Sequence, residues 1–318
     1  MRNLRKLFLF LGLCLWLVFS LLGCKTAQTS SNLSAKGDKG IASSRELGKD
    51  ENLTSENLKI RILNVGKADA ILLQLKDKNV LIDTGLYANR QGLVQRLRSL
   101  GVKKLDMLFL THPHKDHIGG ALGVLNSISV AHVYDTDIQN PQSDLYPKII
   151  NLIERKHIKR TTLSAPATIE LTKEARFEVL WPPVQHITVP NDTNINPNSL
   201  VMRFVYGDFS MLFAADSYKE SEHQILQQYK RQQVKSNVLK VAHHSSNTST
   251  STEWLQAVAP QLAVISCGIG KGDKPDKYPN KTVLKRIKTA GAKAFNTWEN
   301  GEIFIVSDGK NFKVTTEK

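Results

Sequence analysis

The chain of 318 residues has only 3 cysteines, and two of them, Cys14 and Cys24, fall within its first 24 residues. Cys267 is left without an intramolecular partner, which excludes a disulfide-stapled fold. It follows the apolar run LAVIS and reads as a small buried residue, not as a nucleophile. Acidic side chains are in deficit as well, with 29 Asp+Glu against 43 Lys+Arg and a formal net charge of +14. Three of the basic residues precede Cys24, and the 40 that follow it exceed the acids by 11. A surface of that sign attracts polyanions such as nucleic acid, anionic lipid or phosphate-rich wall polymers, although it also simply aids solubility. No Lys/Arg run is dense enough to mark a binding stripe, no internal repeat is strong enough to rest on, and nothing names a protein partner.

What is present begins with a charged-then-apolar leader. Arg2, Arg5 and Lys6 precede an apolar run from Leu7 to Leu22, the order of a secretory signal. It ends in Leu21-Leu22-Gly23-Cys24, which resembles a bacterial lipobox, and that resemblance makes Cys24 the lipidated first residue of the mature protein. An uncleaved transmembrane helix or a plain signal peptide are the alternatives, since the run is near the lower limit for spanning a bilayer. Each of these readings places the rest of the chain outside the cytoplasm. Residues 25–58 are rich in Ser, Thr, Asn, Lys and Gly, with apolar residues too scattered to form a face. They are expected to act as a tether with an r.m.s. span on the order of 30 Å. The domain proper is expected over residues 59–318.

From Lys59 the pattern is regular. KIRILNVG, ADAILLQLK and NVLIDTG have the short apolar or alternating runs of strands, separated by turns. LVQRLRSLG spaces Leu93, Leu97 and Leu100 at helical intervals and stops at Gly101. LDMLFLT, AHVYD, RTTL, FEVLWP, VLKVAHHSS, LAVISCG and AKAFNT read as further strands, and SLVMRFVYGDFSMLFAAD as a hairpin about Gly207. KIINLIERK, ESEHQILQQYK and Lys281–Ala290 read as helices, with another beginning near Gly119. Strands followed by helices in two sets predict two mixed sheets packed together with helices outside.

The strand LDMLFLT empties into THPHKDHIGG, which places three of the chain's 9 histidines and an aspartate between His112 and His117. Imidazole and carboxylate are ligands for zinc and similar divalent ions. One ion cannot easily use all four groups. His112 and His114 can face one ion while Asp116 and His117 face a second, about 3.5–4 Å away as in two-metal hydrolases. A lone histidine in such a loop is usually a satisfied polar side chain; four ligand-type residues in six positions are not.

His112-X-His114-X-Asp116-His117 resembles the signature of the metallo-β-lactamase fold superfamily, which implies an α+β fold, an αββα sandwich with metals at strand ends. NVGKADAILL, LIDTG, NSLVMRF, LFAADS and VLKVAHHSS match, in order, motifs of the hydrolase domain of ComEC-type competence proteins, and the similarity runs from about Lys59 to the C-terminus. The resemblance implies Asp83 beneath the site, Asp216 as a bridging carboxylate, and one of His243 and His244 as the distal ligand, His243 preferred because it leaves its strand first. The bland alternatives are that Asp216 caps the following helix and that one of the two histidines stays outside the ligand shell. Asp116, His117 and Asp216 would then form the catalytic group.

Three departures qualify this. Where the superfamily often supplies another histidine the chain has Asn198-Ser199, as in the competence-type branch, so one metal is poorer in nitrogen; His186, in a proline-flanked loop, is an outside candidate. Ala215 precedes Asp216 where the branch tends to have Gly, and Ser245 follows the histidines in place of Gly. KYPNKT stands where a His-Pro pair is common, leaving Tyr278 or Asn280 on the substrate side. The expected cofactors are two divalent ions, Zn first and Mn second, which acidify a shared water and stabilise charge on a phosphoryl or acyl oxygen. Asp116 could also steer the attacking water, and a nearby histidine or solvent could protonate the leaving oxygen. The expected substrate is a phosphodiester, DNA or a phosphate-rich wall polymer, at the surface of a membrane that holds the lipid anchor. A phosphorylcholine esterase acting on teichoic acid, or a non-catalytic polyanion-binding uptake accessory, are the alternatives; Asn198 argues against β-lactam hydrolysis.

Overall fold

A computed structural model describes residues 57–268 and 278–318. The leader with its lipobox Cys24, and the expected tether up to residue 56, lie outside the described residues. The first half of the domain contributes strands β1 (Leu58–Ile62), β2 (Ile71–Leu75), β3 (Lys78–Ile82), β4 (Lys104–Leu105), β5 (Met107–Phe109), β6 (Ser129–Val130), β7 (His132–Asp135) and β8 (Lys159–Thr162). The second contributes β9 (Ala167–Glu170), β10 (Ala175–Trp181), β11 (Val201–Tyr206), β12 (Phe209–Phe213), β13 (Val238–Lys240), β14 (Leu262–Ile265) and β15 (Lys293–Asn296), after which β16 (Ile303–Ser307) and β17 (Phe312–Thr316) return to the first. Among the described residues these build an eight-stranded sheet in the order β17-β16-β1-β2-β3-β5-β7-β8, a seven-stranded sheet in the order β15-β14-β13-β12-β11-β10-β9, and a short β4-β6 pair.

Each large sheet combines antiparallel ladders with three parallel ones. In the first, β3, β5, β7 and β8 are parallel neighbours; in the second, β12, β13, β14 and β15 are. Parallel neighbours need crossovers, and helices supply them. These are α1 (Arg90–Ser99), α2 (Lys115–Ile118), α3 (Ala121–Ser127) and α4 (Leu145–Arg155) in the first half, then α5 (Lys219–Gln228), α6 (Arg231–Val234), α7 (Thr252–Val258) and α8 (Lys281–Thr289), with α9 (Thr297–Asn300) after β15.

The strand alternation explains the layers. In β2, Ile71, Leu73 and Leu75 enter the core between the sheets while Leu72 faces the helices, so an unbroken apolar run serves two interfaces. Between the sheets Phe109 of β5 meets Phe177 of β10 with ring centroids 4.9 Å apart. On the outer face of the first sheet Leu72, Leu81 and Leu108 pack with Leu97 of α1, Val124 of α3 and Ile149 of α4. On the other, Leu212, Leu239 and Ala263 pack with Ile225 of α5, Trp254 of α7 and Ile287 of α8. Each such aliphatic or aromatic side chain contributes roughly 1.5–3 kcal/mol on burial. The result is the αββα sandwich expected from the resemblance.

Two local differences from the sequence reading matter. The helix expected near Gly119 is α3, which begins at Ala121, and it is preceded by an unexpected single turn, α2, which starts at Lys115 inside the histidine stretch, where His114 O accepts from His117 N and Ile118 N. Strands β6, β9, β16 and β17 and helices α6, α7 and α9 were not anticipated either. Among the described residues no helix is long and apolar enough to cross a membrane.

Parallel strands finish on one edge of their sheet, and that edge is where α/β proteins place ligands. β3 ends one residue before Asp83, β5 three before His112, β12 three before Asp216 and β13 three before His243. The two sheets thus bring the two halves of a candidate site to one place.

Candidate metal centre

The first sheet's half is organised by Asp83, 1% exposed and in a left-handed conformation (φ 59°) that is uncommon for a residue with a Cβ. Its Oδ1 accepts from Thr111 N at 2.9 Å, and its Oδ2 accepts from Thr111 Oγ1 at 2.7 Å. Oδ2 also lies 2.7 Å from His117 Nδ1. With the Nδ1 proton given to Asp83, His117 presents a bare Nε2 to the interior, the arrangement by which a carboxylate fixes the tautomer of a metal-binding histidine. His112 is buried with Nδ1 3.1 Å from Thr111 Oγ1, and its Nε2 is 3.1 Å from His114 Nδ1. Asp116 is half-buried at the start of α2.

The second sheet's half centres on Asp216, 2% exposed, whose backbone N donates to Ser199 Oγ. Asp216 Oδ1 faces His117 Nε2 at 3.2 Å and His244 Nε2 at 3.8 Å. Its Oδ2 faces His112 Nε2 at 3.8 Å and His243 Nε2 at 3.9 Å. His244 Nε2 is also 3.4 Å from Asp116 Oδ2. Both consecutive histidines therefore turn toward Asp216, whereas one was expected to stand apart. The reason is the backbone: His243, His244 and Ser245 have φ of 49°, 52° and 68°, so the alternation that would send adjacent strand side chains to opposite faces is suspended. The other ring nitrogens are engaged, His244 Nδ1 with Ser266 O at 2.9 Å and His243 Nδ1 with Thr248 Oγ1 at 2.8 Å.

His117 Nε2, His244 Nε2 and Asp216 Oδ1 are buried and have no hydrogen-bond partner. An orphaned buried polar atom costs about 1–3 kcal/mol, and three of them converge here. His112, His117 and Asp216 form one grouping with ligand atoms close enough for a single ion, and Asp116, His117 and His244 form another. The electrostatics run the same way. Burial opposes ionisation of Asp216, yet His117, His244 and His243 hold its carboxyl well below the usual carboxylate range. Burial likewise opposes the charge on Asp116, and His244 and His117 hold it low. Against burial, Asp216 and Asp83 raise His117, and Asp216 and Asp116 raise His244. Burial, then the neighbouring His117, keeps His112 low. The acidic centre draws positive charge, and the free nitrogens and oxygens suit a divalent cation as well as protons.

Other expected residues divide. Ser199 supports Asp216, but Asn198 does not reach the centre: it clasps a loop through Ile187 N, Ile187 O and Asn194 O. Asn196 is the asparagine that faces it, with Nδ2 3.5 Å from His243 Nε2 and 3.4 Å from Tyr218 OH. His186 is exposed and joins none of the ligand groupings. Tyr278 packs under the Lys67 ammonium, 4.2 Å from its ring centroid, and Asn280 N donates to Ser245 O, so this segment adjoins the histidine turn without entering it. Cys267 is buried, and burial raises its thiol to about 11, consistent with an inert core residue.

The sequence reading missed Asp69 and Lys240. Both lie in motifs already quoted, but nothing in their apolar surroundings marks a buried ion pair. Lys240 is the one buried lysine or arginine among the described residues, and its Nζ lies 2.8 Å from Asp69 Oδ2.

Comparison with known proteins agrees with this geometry. Residues 63–269 match the model of the metallo-beta-lactamase superfamily. The chain is 26% identical over 273 residues to ComE operon protein 3 of Bacillus subtilis, covering 79% of this chain and 33% of that protein. It is 27% identical over 245 residues to competence protein ComA of Neisseria gonorrhoeae, covering 77% and 31%. The chain thus spans about a third of the length of these curated relatives. Among solved structures, the metallo-beta-lactamase fold protein YhfI of Bacillus subtilis superposes with a TM-score of 0.50 at 16% identity, covering 76% of this chain and 95% of that one. A two-sheet sandwich with His and Asp ligand types meeting at its strand ends, matched over most of its length, belongs to the metallo-β-lactamase superfamily.

Proposed function

We propose that this chain is an exported, lipid-anchored hydrolase that uses two divalent ions, zinc or manganese, to cleave phosphodiesters, and that its substrate is DNA at the cell surface, in a role linked to uptake. The observation that carries the chemistry is the convergence of the unpartnered His117 Nε2, His244 Nε2 and Asp216 Oδ1. His112, His114, His243 and Asp216 Oδ2 would hold one ion, and Asp116, His117, His244 and Asp216 Oδ1 the other. The ions would supply Lewis acidity for an attacking water and for charge on a phosphoryl oxygen. The chain's own groups do the rest. Asp83, Ser266 O, Thr111 and Thr248 engage the Nδ1 atoms of His117, His244, His112 and His243, which turns each Nε2 toward Asp216 and leaves those of His117 and His244 without a hydrogen-bond partner. Asp116, only half-buried, would orient the attacking water. The preference for a polyanion rests on the net charge, and the link to uptake on the competence-type relatives.

The test is elemental analysis of the purified chain followed by turnover of bis(p-nitrophenyl) phosphate, p-nitrophenylphosphorylcholine and single-stranded DNA. Close to two Zn or Mn per chain are expected, with loss of metal and activity in His114→Ala combined with Asp216→Ala. No bound metal after reconstitution would end the hydrolase reading, and turnover of the phosphorylcholine ester alone would transfer it to a headgroup esterase. Cys24→Ser is expected to release the chain from membranes or to block its maturation; unchanged partitioning into detergent would refute the anchor.

A further inference from the structure

Each proposed ion draws its ligands from both sheets, so something must set the spacing between the two halves. Lys240, 1% exposed at the end of β13, donates from Nζ to Asp69 Oδ2 at 2.8 Å and to its neighbour Val241 O at 3.1 Å. Asp69 lies just before β2 of the other sheet. Its backbone N donates to Asp116 O at 3.0 Å, and its carbonyl accepts from Gly85 N at 2.7 Å. One residue is thus tied to the turn that carries Asp116 and His117, to the turn that follows Asp83 and, through its side chain, to the strand that runs into His243 and His244. Its carboxylate lies between the histidines of the two sheets, Oδ2 3.9 Å from His117 Nδ1 and Oδ1 3.9 Å from His244 Nδ1. A backbone bond from Leu200 N to Thr111 O at 3.0 Å joins the sheets elsewhere, aligning His112 with the Ser199 support of Asp216.

A buried ion pair is a poor device for stability, because desolvating both charges offsets most of their attraction and apolar replacements are often neutral or stabilising. Its better-attested use is to fix a register. Resting on the two-metal reading, we infer that Asp69 and Lys240 are positioning residues: the Asp69–Lys240 pair clasps the two sheets and sets the span from Asp116 and His117 to His244, and so decides whether the second ion is held. Asp69 does converge with Asp83 and His117 in a third grouping of ligand types, but its Oδ2 is taken by Lys240, and in the assignment above the pair holds neither ion. It acts through the backbone of the residues that do.

The experiment compares the wild-type chain with Lys240→Met and with the double variant Asp69→Asn/Lys240→Met, which leaves no uncompensated charge. Three quantities are read: the melting temperature without metal, Mn²⁺ stoichiometry and affinity by equilibrium dialysis, and the exchange-coupled Mn²⁺–Mn²⁺ signal in electron paramagnetic resonance. The wild type is expected to bind two ions and show the coupled signal. The double variant is expected to melt within a few degrees of the wild type, to keep one ion, and to bind the other at least tenfold more weakly with the coupled signal lost. Lys240→Met alone, which strands a buried carboxylate, is expected to lose both melting temperature and the second ion. A double variant that keeps both ions at wild-type affinity overturns the clasp while leaving the metal reading intact. One that melts far below the wild type marks the pair as a plain structural tie and also overturns it. A wild-type chain that takes up fewer than two ions overturns the two-metal reading and the clasp with it.

Discussion

Replacing Asp83 with asparagine changes one atom and tests how the centre is held. Three donors converge on the carboxylate: Thr111 N on Oδ1, and Thr111 Oγ1 with His117 Nδ1 on Oδ2. An asparagine has one oxygen. If its amide nitrogen takes the Oδ2 position, His117 can keep a hydrogen bond only by moving its proton from Nδ1 to Nε2, which occupies the lone pair that faces Asp216. If the amide turns over, its nitrogen meets Thr111 N, donor against donor. Either way a buried group loses its partner, at a cost of about 1–3 kcal/mol to the metal-free fold. The loss of an outer-shell carboxylate typically lowers metal affinity 10–100-fold, about 1.4–2.8 kcal/mol of binding free energy. Chelator competition with Zn²⁺ or Mn²⁺ reads the affinity, and nitrogen-15 chemical shifts of the His117 ring read the tautomer. Wild-type affinity with the proton still on Nδ1 would refute the argument that Asp83 acts by fixing that ring.

Gly119→Ala is expected to destabilise the fold by at least about 3 kcal/mol in denaturant titration, since an added Cβ would overlap Lys115 O and Tyr87 N, both backbone atoms; a loss under 1 kcal/mol would show that the Gly85–Gly119 crossing is loose. Burial raises the Glu222 carboxyl to about 7 from its ordinary 4.5. The native state therefore holds a proton that the unfolded chain has released, and stability should fall by roughly 3 kcal/mol as pH rises from about 4.5 to about 7, a slope that Glu222→Gln should flatten and that an unchanged curve would contradict. DNA binding or cleavage should weaken at least tenfold between low and physiological salt while turnover of bis(p-nitrophenyl) phosphate stays nearly flat, because only the polymer carries condensed counterions; equal shallow curves would remove DNA as the substrate.

Much of the fold was legible because its interfaces repeat simple periods. Leu93 and Leu97 stand on one helical face, and Ile71 to Leu75 read as a strand even though both of its faces are buried. Strand β9 was not legible for the opposite reason, while β16 and β17 were passed over although IFIVS and FKVTT carry a strand pattern. The exposed and half-buried residues of Ala167–Glu170 lack an apolar signature, and Ile303–Ser307 and Phe312–Thr316 return to the first sheet from the far end of the chain, a pairing no local pattern records. The short helix at Lys115 escaped notice because two of its four residues, Asp116 and His117, were already accounted for as ligands.

In the candidate site, legibility followed how far the chemistry is local. His112, His114, Asp116 and His117 fall within six residues, and a density of ligand types is a signal that needs no structure. Asp69 and Lys240 are 171 positions apart, and each alone is an ordinary charged residue beside an apolar run. His243 and His244 were visible as residues but not as a pair of ligands, because the rule that neighbouring strand side chains diverge fails where three successive residues turn left-handed. Such conformations cost of order 1–3 kcal/mol each and persist only where the surroundings impose them. Here His243 N donates to Ala215 O, Ser246 N to His243 O and Asn280 N to Ser245 O. The second of these bonds closes the strained turn on itself, and the other two hold it against the Asp216 loop and the segment before α8. Residue types announce which atoms can bind a cation, while the direction in which those atoms point belongs to the backbone that other parts of the chain hold in place.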